Sequence, residues 1–218
     1  MEIKLVKDIL AANNVIAAQN RRLFSQHGIY AINLMGGPGA GKTTLLERTI
    51  ERLKGKRRLA VIEGDIATAR DAERIAAHGI PVVQINTGGE CHLDGNMVRG
   101  GLEQMDLAGI DLLVVENVGN LVCPAEFNVG EDTKVMISSV TEGDDKPLKY
   151  PLMYQVSTVL LLNKIDLLPH VSFDKERFCA DARKINPRVE IIPLSCTTGE
   201  GLNRWINWLE ERTGAAGA

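Results

Sequence analysis

The sequence predicts an α/β fold: a mostly parallel sheet with helices on both faces, and one more helix at the N-terminus. Three observations carry this. Short apolar runs alternate regularly with segments of helical spacing. Several runs are continuously apolar, as in strands buried on both faces. Glycine-rich and acidic segments fall just after those runs, at the carboxyl ends where open parallel sheets bind ligands.

Residues 2–26 place Ile3, Val6, Ile9, Leu10, Asn13, Ile16, Ala17, Asn20 and Leu23 on one stripe. That spacing predicts an amphipathic helix, stopped at His27-Gly28 and packed on the domain or on a partner. Ile29–Met35 predicts the first strand and Thr44–Ile50 the helix that follows. Arg58–Glu63 predicts a second strand, ending in Gly64-Asp65. Residues 67–78 predict a helix with Asp71 in its first turns, and Pro81–Asn86 a third strand. Thr87–Asp94 is a polar, glycine-rich loop before a helix at 95–107 that contains Gly100-Gly101. Ile110–Glu116 is a buried strand ending in a carboxylate. Residues 117–134 lack helical periodicity, and so long an irregular stretch in a compact domain usually has a function. Strands follow at Lys134–Val140, Thr158–Asn163 and Ile191–Ser195, with a charged loop at Thr141–Pro151 and helices at 174–185 and 202–212. The expected organisation is a helix over 1–28, one domain over 29–213 and a frayed tail over 214–218.

The chain is organised around Gly36-Gly37-Pro38-Gly39-Ala40-Gly41-Lys42-Thr43, which fits G-x-x-x-x-G-K-S/T between a strand and a helix. This pattern is that of a phosphate-binding loop, or P-loop. Gly37, Gly39, Ala40 and Gly41 let backbone N–H groups curl around phosphate oxygens, and the helix start that runs into Thr44 adds a positive dipole end. Lys42 reaches the β- and γ-phosphates, and the Thr43 hydroxyl ligates Mg²⁺.

Asn163-Lys164-Ile165-Asp166 follows a buried strand about 120 residues downstream and fits the N-K-x-D pattern of GTP-binding proteins. A carboxylate only accepts hydrogen bonds, and guanine offers two donors side by side, N1–H and the 2-amino group. Adenine offers no such pair and would leave the Asp166 charge unsatisfied. The Lys164 stem lies along the base, Asn163 braces the loop, and a backbone N–H at Ser195-Cys196 meets the guanine oxygen. Bound GTP and GDP are the expectation.

Mg²⁺ takes oxygen ligands, including a carboxylate or two. Asp65, Asp71 and Glu116 are the candidates beside Thr43. Glu116-Asn117-Val118-Gly119 echoes D-x-x-G with Glu in place of Asp, and the Gly119 N–H approaches the γ-phosphate. Asn120 stands after Gly119, with no Gln there to orient water, which predicts slow intrinsic turnover aided by a partner or dimer contact.

Cys91-His92 and Cys123-Pro124 form a second constellation, because thiolate and imidazole suit Zn²⁺ or Ni²⁺. Adjacent Cys and His converge on one ion in a loop, not on a helix, where they diverge by about 100°. Pro124 is expected to hold Cys123 extended. Three ligands leave a tetrahedral ion one short, so a water or a two-fold partner completes it. Cys123 lies seven residues past Glu116, at most about 25 Å away. Segment 117–123 would touch both the γ-phosphate and the metal, so nucleotide state could move a metal ligand.

Bulk properties narrow the class. Across 218 residues the net charge is −3, which offers no chain-wide basic field for nucleic acid. Four cysteines are too few for a disulfide scaffold, no stretch spans a membrane, and Glu2, Lys4, Lys7 and Asp8 break any signal peptide. A reducing cytoplasm is expected. Cys179 and Cys196 read as core and loop residues. Trp205 and Trp208 read as core, and His27, His78 and His170 as loop or helix ends.

Together these motifs resemble the nickel-insertion GTPases of NiFe-hydrogenase maturation, over nearly the whole chain. Glu63-Gly64-Asp65, Glu90-Cys91-His92-Leu93-Asp94 and Glu116-to-Pro124 belong to that likeness. It implies a SIMIBI-class GTPase that dimerises with GTP and delivers Ni²⁺ to the hydrogenase large subunit with a small zinc-containing maturation protein. It implies a metal site from Cys91, His92 and Cys123 at the dimer interface, Asp65, Asp71 and Glu116 on the magnesium side, and Lys149 against the base across the dimer. Some members carry an N-terminal Cys-rich or His-rich nickel motif; residues 1–26 contain neither Cys nor His. Rival readings are a related GTPase serving urease or a cobalamin enzyme, an ATP-dependent small-molecule kinase, or a metal-binding scaffold with an inert nucleotide site.

Overall fold

A computed structural model describes residues 4–65 and 70–215. In chain order the elements are α1 (Lys4–His27), β1 (Tyr30–Gly36), α2 (Lys42–Leu53), β2 (Leu59–Asp65), α3 (Arg70–Ala76), β3 (Val82–Asn86), α4 (Gly95–Leu102) and β4 (Leu112–Glu116). Then come α5 (Cys123–Glu126), β5 (Thr133–Ser139), α6 (Lys146–Lys149), α7 (Pro151–Val156), β6 (Val159–Asn163), α8 (Lys175–Ile185), β7 (Glu190–Pro193) and α9 (Leu202–Ala215). The seven strands form one sheet in the order β3-β2-β4-β1-β5-β6-β7, and every pair is parallel. The chain builds β2–β4 on one side of β1 and β5–β7 on the other. A crevice therefore opens above the carboxyl end of β1, where α/β sheets bind ligands.

Alternation along each strand splits the core into layers. Ile32 and Leu34 face a layer shared with Leu45 and Ile50 of α2 and Trp205 and Leu209 of α9. Ala31 faces the other side, with Phe24 of α1 and Val98 and Leu102 of α4. Met35 packs toward Tyr154 of α7 and Phe178 of α8. Trp205 and Trp208 are core, as expected, and the Trp205 indole N–H donates to Thr49 Oγ1 at 3.0 Å.

Helix α1 packs on the domain through its two buried asparagines. Asn20 donates to Gly95 O at 2.8 Å and Val129 O at 3.1 Å. Asn13 Oδ1 accepts from Gly95 N at 2.7 Å, filling one of the unmet N–H groups at the start of α4. Gly130 permits this contact: at φ +104°, an added Cβ would stand 2.7 Å from Asn20 Cβ.

Four expectations are corrected. Helix α4 stops at Leu102, short of the expected 107, because Gly100-Gly101 weakens it and the next amides make tight i to i−3 turns. The expected loop at 141–151 instead holds a 3₁₀ turn at Val140–Glu142, all of α6 and the start of α7. Pro147 and Pro151 sit in the first turns of these helices, where a missing N–H costs little, and four to six residues are too few to display a period. The last strand ends at Pro193, so Ser195 and Cys196 lie in the following loop. Helix α9 continues to Ala215, and residues 216–218 lie outside the described residues, as does the start of the helix expected at 67–78. Among the described residues no helix is long and apolar enough to cross a membrane.

Candidate functional site

Where β1 ends, the chain turns through Gly37–Gly41 into α2. Gly41 needs its missing Cβ twice over: its φ is +104°, and a Cβ would meet Asn163 Nδ2 at 2.4 Å. Lys42 opens α2, is 9% exposed, and donates from Nζ to Gly36 O at 3.4 Å. Burial lowers its pKa, against the pull of Glu116. Thr43 Oγ1 donates to Glu116 Oε1 at 3.0 Å. A cavity of about 450 Å³ is bounded by Gly39, Lys42, Thr43, Asp65, Asp71 and Glu116, among others. Of the candidate phosphate and magnesium residues, the structure thus brings Gly39, Gly41, Lys42, Thr43, Thr44, Asp65, Asp71 and Glu116 to one cleft. Gly119 lines it too, and a Cβ there would stand 3.2 Å from Pro38 Cα of the loop.

Glu63 lines the same cleft and was absent from the sequence candidates. Its place two residues before Asp65 was the available signal, since i and i+2 share a strand face. Parallel pairing of β2 with β4 sets Glu63 opposite Glu116, both 3% exposed. One carboxylate oxygen of each, Oε2, is buried with no hydrogen-bond partner. Burial raises Glu116 to about 7, while Lys42 and Thr43 pull it back. Burial and then the Glu116 charge raise Glu63 to about 8. Orphaned carboxylate oxygens beside a threonine hydroxyl suit Mg²⁺, which would supply the missing cation. Asp71 lies at the rim, bonded to Arg74 at 3.0 Å, and Arg74 also holds Glu47 at 2.6 Å.

Both carboxyls bind protons more tightly folded than unfolded, where 4.5 is the reference. Their contribution to stability is therefore full below 4.5 and lost as pH rises through about 7 to 8. The thermal midpoint of nucleotide-free protein should fall over that window. Glu63→Gln should flatten the slope and raise the midpoint at alkaline pH, by about 3 °C per kcal/mol recovered. A scanning-calorimetry series with equal slopes in the two proteins would contradict this.

The base half of the cleft is a neighbouring cavity of about 380 Å³ that shares Gly41, Thr44 and Lys164. Asn163 holds three segments together: Nδ2 donates to Ala40 O at 2.9 Å, and Oδ1 accepts from Lys164 N at 2.8 Å and Cys196 N at 3.2 Å. Lys164 sits at φ 62°, and its Nζ donates to Gly39 O at 2.8 Å. Asp166 Oδ1 is buried without a partner beside this cavity, as a carboxylate awaiting base N–H donors would be. The Cys196 N–H goes to Asn163 and the Ser195 N–H to Glu200 O at 2.9 Å. Cys196 itself lines this cavity, beside Asp166 and Lys164.

The loop after β3 and the segment after β4 meet beside this cleft. Cys91 Sγ lies 2.8 Å from Cys123 Sγ and 3.9 Å from His92 Nδ1. The three ligand atoms all fall within 4.8 Å of one another, close enough to share an ion. The Cys91 sulfur, and then burial, raise the Cys123 thiol pKa. Cys123 is not extended as expected: it opens helix α5, with Pro124 in the first turn, where proline is well tolerated. The Phe127 ring lies against His92 with centroids 3.9 Å apart. Sequence reasoning missed two further contacts. Asn117 Oδ1 accepts from Leu93 N at 2.9 Å, and Asn120 Nδ2 donates to Cys91 O at 3.2 Å. Asn120 also pairs with Gly36 in an isolated β-bridge. Lys149 is exposed and pairs with Asp145.

The nucleotide-binding domain described as CobW/HypB/UreG matches residues 30–193. Hydrogenase maturation factor HypB of Azotobacter vinelandii is 52% identical over 212 residues, covering 97% of this chain and 70% of that protein. The crystal structure of hydrogenase maturation factor HypB from Archaeoglobus fulgidus superposes with a TM-score of 0.88 at 41% identity, over 93% of this chain and 99% of that one. The crystal structure of HypB from Helicobacter pylori in complex with nickel gives 0.89 at 35% identity, over 94% and 96%. With its phosphate loop and Asn163-to-Asp166 on adjoining cavities and its Cys-His-Cys cluster linked to the loop through Asn120, this chain belongs to the HypB hydrogenase maturation factors of the CobW/HypB/UreG family.

Proposed function

We propose that this chain is a GTP-hydrolysing nickel metallochaperone of hydrogenase maturation, in which nucleotide state sets the grip on the metal. Lys42 and the loop amides hold the β- and γ-phosphates, and Asp166 selects guanine. Thr43 and Glu116, with Asp65 and Asp71 nearby, would hold Mg²⁺, which would supply charge neutralisation at the phosphates. Water attacks the γ-phosphorus, the bond to the bridging oxygen breaks, and GDP and phosphate leave. Turnover is slow without a partner, because the Asn120 amide is committed to Cys91 O and, through Oδ1, to the Val122 N–H. Cys91, His92 and Cys123 hold Ni²⁺ or Zn²⁺ as cargo. A GTP-linked homodimer completes the ion's shell; Val122 and Leu148, 53% and 63% exposed, offer apolar surface for it. The proposed partners are the small zinc-containing maturation protein and the hydrogenase large subunit, in the cytoplasm.

The observation that carries this reading is Asn120, which joins Gly36 at the phosphate loop to the backbone of Cys91. A change at the γ-phosphate has one short covalent and hydrogen-bonded route to a metal ligand. Ni²⁺ and Zn²⁺ titrations with GDP, then with a non-hydrolysable GTP analogue, test it by thiolate absorption and molecular mass. The two affinities should differ by about 5- to 150-fold, the usual span of coupling energies. Asn120→Ala should bring them within about twofold while Lys42→Ala abolishes hydrolysis. Identical titrations in both nucleotide states would remove the coupling.

A further inference from the structure

Lys134 lies near the start of β5, beside β1 in the sheet. Its side chain is only 10% exposed, and its Nζ stands 3.7 Å from Oε1 of Glu131, itself 5% exposed. The second Glu131 oxygen accepts from Val129 N at 2.7 Å. The ammonium spends two hydrogen bonds on the segment after Pro124: Ala125 O at 3.0 Å and Phe127 O at 3.2 Å.

These two acceptors matter because of what they carry. Ala125 belongs to α5, which begins at Cys123 and has only four residues. So short a helix cannot sustain itself and needs outside partners for its terminal carbonyls. A buried cation at that end is such a partner. Phe127 follows directly, and its ring rests on His92. One ammonium therefore anchors the backbone that places Cys123 and the ring that backs His92.

We propose that Lys134 is a positioning residue for the Cys91–His92–Cys123 metal site, fixing two of the three ligands from the core of the sheet. This rests on the metal-handling reading above. Lys134 lines neither half of the nucleotide cleft, so its loss should leave GDP binding alone.

Lys134→Met by itself would strand Glu131, so the test pairs it with Glu131→Gln. Ni²⁺ affinity, the nickel–thiolate absorption band and GDP affinity are measured in the full chain, with Cys123→Ser as control. The double variant should bind Ni²⁺ about 10-fold more weakly with a shifted band, as residues that orient metal ligands usually do. Its GDP affinity should stay within about twofold, whereas a general loss of structure would lower both. Lys134→Arg should restore part of the affinity. Unchanged nickel affinity and band in the double variant, with Cys123→Ser defective, would overturn the role of Lys134 alone. Intact nickel binding in Cys123→Ser would instead overturn the site reading on which it rests. If the double variant does not fold, Phe127→Leu decides: weaker nickel with normal GDP supports the clamp, and unchanged nickel overturns it.

Discussion

Asp166→Asn should lower GTP affinity by about a hundredfold or more and turn the site toward xanthosine triphosphate. The native carboxylate has a buried, unpartnered Oδ1 at the base cavity. Both its oxygens accept, and guanine presents two donors in parallel. The amide keeps one acceptor and turns one oxygen into a donor, so a donor would face the guanine 2-amino group. Hydrogen bonds to charged groups contribute about 1.5–3 kcal/mol each, and an unmatched donor adds its desolvation cost. A total of about 3 kcal/mol corresponds to roughly 150-fold in dissociation constant. Xanthine carries a carbonyl where guanine has its amine, so it matches the amide. Competition of GTP, xanthosine triphosphate and ATP against a fluorescent nucleotide reads the switch. Wild-type GTP affinity in the variant would mean that the base sits elsewhere.

Cys123→Ser should remove most of the metal affinity and spare the nucleotide. Binding of structural zinc contributes about 10–16 kcal/mol over four ligands. One thiolate is then worth roughly 3–4 kcal/mol, or about 10²–10³-fold in affinity. The serine hydroxyl is a poor ligand for Zn²⁺ or Ni²⁺. Cys91 and His92 would remain, within reach of a single ion but with two donors only. Cys123 lies outside the two cavities proposed for phosphate and base, so GDP binding should change by less than about twofold. Nickel titration by thiolate absorption, with native mass spectrometry for stoichiometry, measures both. A variant that still binds one nickel per chain at wild-type affinity would rule Cys123 out as a ligand.

Strands with long apolar runs were plain in the sequence, because burial on both faces leaves a continuous signature at Leu112–Glu116 and Val159–Asn163. The phosphate loop and Asn163-to-Asp166 were equally legible, since each is a local backbone shape tied to a fixed residue pattern. Helices α5, α6 and α7 were hidden. Each has at most six residues, less than two turns, and each is held by proline placement and tertiary partners instead of an apolar stripe. The convergence of Cys91, His92 and Cys123 was expected from chemistry, but the helical conformation of Cys123 was not.

Sequence alone marked the candidate residues for phosphate, guanine and soft metal, because each motif is local and written in residue type and spacing. Tertiary structure decided which of them meet. Strand order sets Glu63 opposite Glu116, brings Asn120 between Gly36 and Cys91, and aims Lys134 at the end of α5. Such pairings depend on sheet register and burial between residues far apart in the chain, and no local pattern encodes a distance across the sheet.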